Sequence, residues 1–156
     1  MPPLLEIESF ACVVRLAPLV SIDLIVHDQQ RRVLLGRRTR PPALGWWFVP
    51  GGRIRKDERV SDAILRLLDE ELGWRGAAAT SLRGVHEHFY PDNFQGTQEF
   101  SSHYVVLAHD VRLEAGETDL PRSQHSEYRW FSVAELLASP DVHRYTRDYF
   151  GVNASG

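Results

Sequence analysis

One carboxylate, set among leucines, constrains this chain more than any other feature. Residues 58–72, ERVSDAILRLLDEEL, have the spacing of an amphipathic helix: at about 100° per residue, Val60, Ile64, Leu67 and Leu68 share one apolar stripe. Glu71 falls on that stripe, near its middle, and Gly73 supplies the C-terminal stop. A helix with such a face must bury it, so Glu71 has to be paired, protonated or bound to a metal. Arg66 and Arg75 are the ion-pair candidates, and a stripe ending before Glu71 is the other plain alternative.

Just upstream, VPGGRIRKDE brings the glycine pair Gly51-Gly52, whose missing side chains let backbone approach a ligand closely, and Glu58 at the helix entrance. Carboxylates and free carbonyls gathered this way are hard oxygen donors. They suit Mg²⁺, which keeps waters and shares its shell with phosphate oxygens. From Arg31 to Lys56 there are eight basic residues and no acid. Solvated loops and strand edges explain such a run as well as a bound polyphosphate does.

The rest of the chain supplies a sheet. Residues 18–27 read as a strand and 31–39 as its hairpin partner. A Pro/Gly loop follows (40–45), then a short strand (46–50). Residues 81–90 and 101–113 read as strands around a polar loop, and 127–131 as a last strand. Ser132 and Glu135 have capping-box spacing at the head of a helix, and 141–150 reads as a final one. Interleaved strands and helices predict an α/β or α+β class, with helices packed on a sheet. Of Trp46 and Trp47, which alternate faces in a strand, one is expected in the core.

With 156 residues and 43% apolar side chains, the chain reads as a single domain, 1–156, with a real core. A net charge of −3 argues against a dedicated nucleic-acid binder. No apolar run is long enough to span a membrane, and the N-terminus lacks the pattern of a signal peptide. The lone cysteine, Cys12, rules out an intrachain disulfide and fits a reducing compartment, so a cytoplasmic address is expected.

The spacing of Gly52, Glu58, Arg66, Leu68, Glu70, Glu71 and Gly73 resembles the Nudix box, with Trp74 in the last, usually aliphatic, place. One position departs: Leu67 stands where most Nudix pyrophosphohydrolases carry a glutamate of the catalytic cluster. That departure, with PLVSIDLIV, GWWFVPGGRIRKDE, HEHFYPDNFQGT, HYVVLAHDV and LPRSQHSEYRW, is similar to the GDP-mannose mannosyl hydrolases, an atypical Nudix branch. The resemblance implies a Nudix α/β/α sandwich with a mixed sheet and the box loop-helix packed on it. It also implies a homodimer and hydrolysis of GDP-mannose or GDP-glucose to GDP and free sugar. Water then attacks the anomeric carbon with inversion.

The same resemblance assigns roles. Gly51, Glu71 and Gln124 would hold Mg²⁺, with Mn²⁺ as a substitute, and His125 would be the general base. Arg38 and Arg53 would grip the diphosphate, and Asp23, His88 and Tyr104 would face the sugar and leaving-group oxygens. Read without the resemblance, Asp23 pairs equally well with an arginine of the next strand. His88 and Tyr104 pass equally as half-buried structural residues. Arg66 is read as orienting a box carboxylate as readily as touching substrate, and Glu70 as structural. Glu58 is read as a loop residue with a carboxylate available to a further metal. The alternatives to hydrolysis at carbon are conventional cleavage at phosphorus and a non-catalytic sugar-nucleotide sensor.

Overall fold

The computed structural model describes residues 4–114 and 125–151. In chain order they form α1 (Ile7–Leu16), β1 (Leu19–His27), β2 (Val33–Arg38), β3 (Trp47–Phe48), β4 (Gly51–Arg53), α2 (Val60–Leu72), β5 (Ala78–Tyr90), β6 (Ser102–Leu113), β7 (His125–Phe131), α3 (Val133–Ala138) and α4 (Arg144–Asp148). The strands make one mixed sheet in the order β3-β2-β1-β6-β5, with β4 also on β1 and β7 also on β2. Only β1 and β6 run parallel.

Both faces of the sheet are covered, as the sandwich expectation requires. On one face Ile64, Leu67, Leu68 and Leu72 of α2 pack on Ile22, Leu24, Val26 and Leu34. On the other, Leu136 of α3 with Tyr145 and Tyr149 of the last helix pack on Ile25, Val33, Leu35 and Phe131. Burial on both sides explains the near-continuous apolar run of β1, and makes Asp23 its one charged break. The expected capping box forms: Glu135 N–H donates to Ser132 Oγ at 3.1 Å and Ser132 N–H to Glu135 Oε2 at 2.9 Å. Trp47 is buried and Trp46 exposed. An element the sequence reading lacked, α1, closes one end of the sheet by packing Ala11 and Val14 on Leu19 and Phe100.

The hairpin of β1 and β2 differs from expectation in a way that matters. The two strands pair only at His27↔Val33. Beyond that point β1 takes β4, with Asp23 opposite Gly51, while β2 takes β3 and β7. Residues 46–50 therefore are not one strand. Trp47–Phe48 belongs to β2's side and Gly51–Arg53 to β1's side, and Pro50, which has no N–H to donate, sits at the crossing with its carbonyl accepting from Leu24 N–H. The last strand also begins earlier than 127. His125 is its first residue, paired with Arg38 beyond an irregularity between Gly36 and Arg38.

Candidate active site

A cleft of about 350 Å³ opens where β1 and β2 diverge. Asp23, Arg38, Gly51, Arg53, Glu71, His88 and Tyr104 all line it, joined by Arg40, Arg55, Arg66, Leu67, Glu70 and Tyr90. Two of the residues given a site role by the resemblance are not in that group, nor is Glu58. His125 lies beside the cleft rather than on its wall, and Gln124 lies outside the described residues.

Glu71 is 3% exposed, in the middle of α2's packed face. The plain pairings do not form. Arg66 is spent on Glu58, with Nε to Oε2 at 2.7 Å and Nη2 to Oε1 at 2.8 Å, and on Glu70 Oε2 at 2.9 Å. Arg75 binds Asp69 at 3.0 Å. Among the described residues the nearest charge partner of Glu71 is the His125 ring, Nδ1 to Oε2 at 3.9 Å. Burial pushes the Glu71 carboxyl up to about 7, against the opposing pull of Arg38 and with a further push from Glu70. A desolvated carboxylate on a cleft wall, with no arginine or lysine at ion-pair distance among the described residues, has the hard-oxygen chemistry that a divalent cation could use.

Gly51 fits the same reading. A Cβ there would lie 2.3 Å from the Ile22 carbonyl oxygen and 2.7 Å from Asp23 Oδ1, so only glycine allows β4 to lie this close to β1. Among the described residues no three His, Cys, Asp or Glu side chains gather to hold a metal by themselves. A cation at Glu71 would complete its shell with carbonyl, amide and phosphate oxygens. Glu58 is not available for a further metal. Its carboxylate takes two bonds from Arg66 and one from Arg55 N–H at 3.0 Å, and the Arg66 bonds hold it down at about 2. It fastens the glycine loop to α2.

The arginines divide by partner. Arg55 reaches Glu70 at 3.3 Å, and Arg32 is tied to Asp28 at 2.7 Å. Arg38 donates Nε to the Pro42 carbonyl at 2.9 Å, and Arg53 lies over the Phe10 ring at 4.9 Å. Among the described residues neither has a carboxylate within ion-pair distance, so their charge faces the cleft. The alternative in which an arginine of the next strand pairs with Asp23 does not form among the described residues, and a different bond stands in its place. Tyr149 donates its hydroxyl to Asp23 Oδ2 at 2.5 Å, from the far end of the chain. Burial pushes Asp23 up to about 7, while that bond and Arg38 pull the other way. Burial holds His88 down at about 3, neutral at any ordinary pH. Tyr90 on the cleft wall and Tyr149 behind Asp23 are marked by no sequence spacing.

His125 is 1% exposed. Its ring sits over Gly36, where a Cβ would approach Cδ2 to 2.5 Å. Nδ1 is 3.4 Å from the Tyr128 hydroxyl and Nε2 is buried without a partner among the described residues. Burial, with Arg38 adding to it, depresses its pKa to about 4, so the ring is neutral at pH 7.

A family model described as the NUDIX domain matches residues 17–150. This chain belongs to the Nudix family. A similar relative is the low-salt glycan biosynthesis protein Agl8 of Haloferax volcanii, 37% identical over 139 residues, covering 88% of this chain and 86% of that one. The ADP-ribose pyrophosphatase of Methanocaldococcus jannaschii is 29% identical over 102 residues, covering 65% and 58%. Among solved structures, a MutT Nudix hydrolase from Burkholderia pseudomallei superposes with a TM-score of 0.66 at 28% identity, covering 85% of this chain and 95% of that one. Within the Nudix box of this chain, Arg66 joins Glu58 to the helix, Gly73 closes it at φ 62°, and Leu67 packs over Gly52, where a Cβ would meet Leu67 Cδ2 at 2.6 Å.

Proposed function

We propose that this Nudix chain is a Mg²⁺-dependent hydrolase of a GDP-sugar, mannose or glucose, releasing GDP and free sugar by attack of water on the anomeric carbon. One observation carries the reading. The box presents one buried carboxylate, Glu71, with no arginine or lysine partner among the described residues, to a cleft faced by Arg38 and Arg53, while Leu67 fills the place of a second catalytic carboxylate with packed hydrocarbon. GDP leaves as an anion, so it needs charge neutralised rather than a proton donated. Glu71, the Gly51 carbonyl and Gln124 would hold the cation, which supplies positive charge to the diphosphate. Arg38 and Arg53 supply more. Asp23, His88 and Tyr104 would bind sugar and leaving-group oxygens, and His125 would accept the proton of water. The glycan-biosynthesis relative supports a sugar substrate. The family likeness adds a homodimer, the lone cysteine fits a reducing, cytoplasmic setting, and no described helix is long and apolar enough to cross a membrane.

A second reading, Nudix cleavage at phosphorus, is favoured by one feature: His125 is closed off from the cleft. Products separate the two. GDP-mannose, Mg²⁺ and ¹⁸O-water should give GDP with label in the sugar hydroxyl. GMP, or label in phosphate, rejects attack at carbon.

A further inference from the structure

The cleft wall opposite the box is held by two tyrosines one turn apart. Tyr145 stacks on His88, ring centroids 4.2 Å apart at 2°, and locks β5 by donating to the Phe89 carbonyl at 2.8 Å and accepting Phe89 N–H at 3.0 Å. Tyr149, 2% exposed, places its hydroxyl 2.5 Å from Asp23 Oδ2 and 3.4 Å from His88 Nε2. A phenol has one proton, and the shorter contact, to the carboxylate, takes it. The phenol oxygen is then left as an acceptor facing His88 Nε2. This selects the neutral imidazole with its proton on Nε2 and leaves Nδ1 as the lone-pair side.

We propose that Tyr149 is a positioning residue for the substrate's sugar: it holds Asp23 and His88 as one pre-set pair, the carboxylate oriented by the phenol and the imidazole fixed in its Nε2–H form. The inference rests on the GDP-sugar reading for its consequence, but not for its geometry. Among the described residues the Tyr149 hydroxyl bonds Asp23 and His88 and makes no hydrogen bond to α2, Arg38 or Arg53, so its loss acts first on the two groups assigned to the sugar. The enzyme uses it to favour a hydroxyl-bearing ring over a bare diphosphate terminus, because a buried acceptor and a buried ring of fixed tautomer reward only a ligand that supplies the matching hydroxyls.

Tyr149→Phe with Mg²⁺ tests this. The affinity for GDP alone should stay within about twofold, while kcat/KM for GDP-mannose falls by about 10- to 100-fold, the loss of one charge-assisted hydrogen bond. Equal losses for both ligands would mark a structural role and overturn the proposal, as would an unchanged kcat/KM. The wild-type protein gives a second measurement that needs neither turnover nor a folded variant: ¹⁵N–¹H correlation of its histidines. Here the His88 signal should show a neutral ring protonated at Nε2; protonation at Nδ1 overturns the proposal. Should wild type not hydrolyse GDP-sugars at all, the functional reading fails, while the tautomer measurement still decides the role of Tyr149.

Discussion

Glu71 shows at the scale of one side chain how burial becomes chemistry. Its folded pKa of about 7 stands above the unfolded value of 4.5. The native protein therefore holds a proton there that the unfolded chain gives up, and this stabilisation, complete below pH 4.5, is lost as pH rises through 7. Metal-free Glu71→Gln should gain on wild type by up to about 3 kcal/mol between pH 4.5 and 8, read from paired melting curves. Saturating Mg²⁺ should cancel that gain and stabilise only the wild type. An unchanged Mg²⁺ titration in the variant would remove Glu71 as the ligand. For His125→Ala, hydrolysis at carbon predicts a fall in kcat of about 10²–10⁴ with metal affinity spared. Turnover near wild type would take His125 out of the mechanism. The special status of Glu71 was legible because helical periodicity places it among Ile64, Leu67 and Leu68. The partner of Asp23 was not, because Tyr149 is 126 residues away and nothing local marks the pair.

Between elements, the same residues act as fasteners. Gly36 of β2 exists for the His125 ring of β7, which is packed on all sides and has no flexible end to move away. Gly36→Ala should therefore cost about 1–3 kcal/mol by overpacking and shift the His125 ring, seen as a lowered melting temperature and altered histidine resonances. The Arg66–Glu58 pair ties the glycine loop to α2, with side chains 10% and 7% exposed. Glu58→Gln should cost about 2 kcal/mol, between an exposed and a fully buried pair. Because the Glu58 pKa is lowered to about 2, its contribution is present above pH 4.5 and disappears as pH falls toward 2. Strong periodicity made β1, α2 and the long strands readable. Helix α1 was not, since Glu6 provides no side-chain cap and only contacts with distant Leu19 and Phe100 stabilise it. The break at Pro50 was visible as a proline, but which strand each half would join depends on pairing partners far along the chain.

For the molecule as a whole, the fold class followed from alternation of strands and helices, and the cleft from a divergence that no segment encodes alone. GDP with Mg²⁺, added at about a hundred times its Kd, should raise the melting free energy by about 2.7 kcal/mol, a shift of roughly 5–10 °C for a domain of this size. No shift with Mg²⁺ and GDP together would separate this cleft from nucleotide binding. The parallel pairing of β1 with β6 and the bond from Tyr149 to Asp23 also fix an order of events during synthesis. A ribosome carrying the first two-thirds of this chain displays the box, its helix, the arginines, Asp23 and His88, while Tyr149, which hydrogen-bonds Asp23, is not yet made. Asp23 stays without its phenol donor until the last helix has been translated and docked, so a chain cut short before Tyr149 keeps a carboxylate in the middle of β1 whose hydrogen bond is never made.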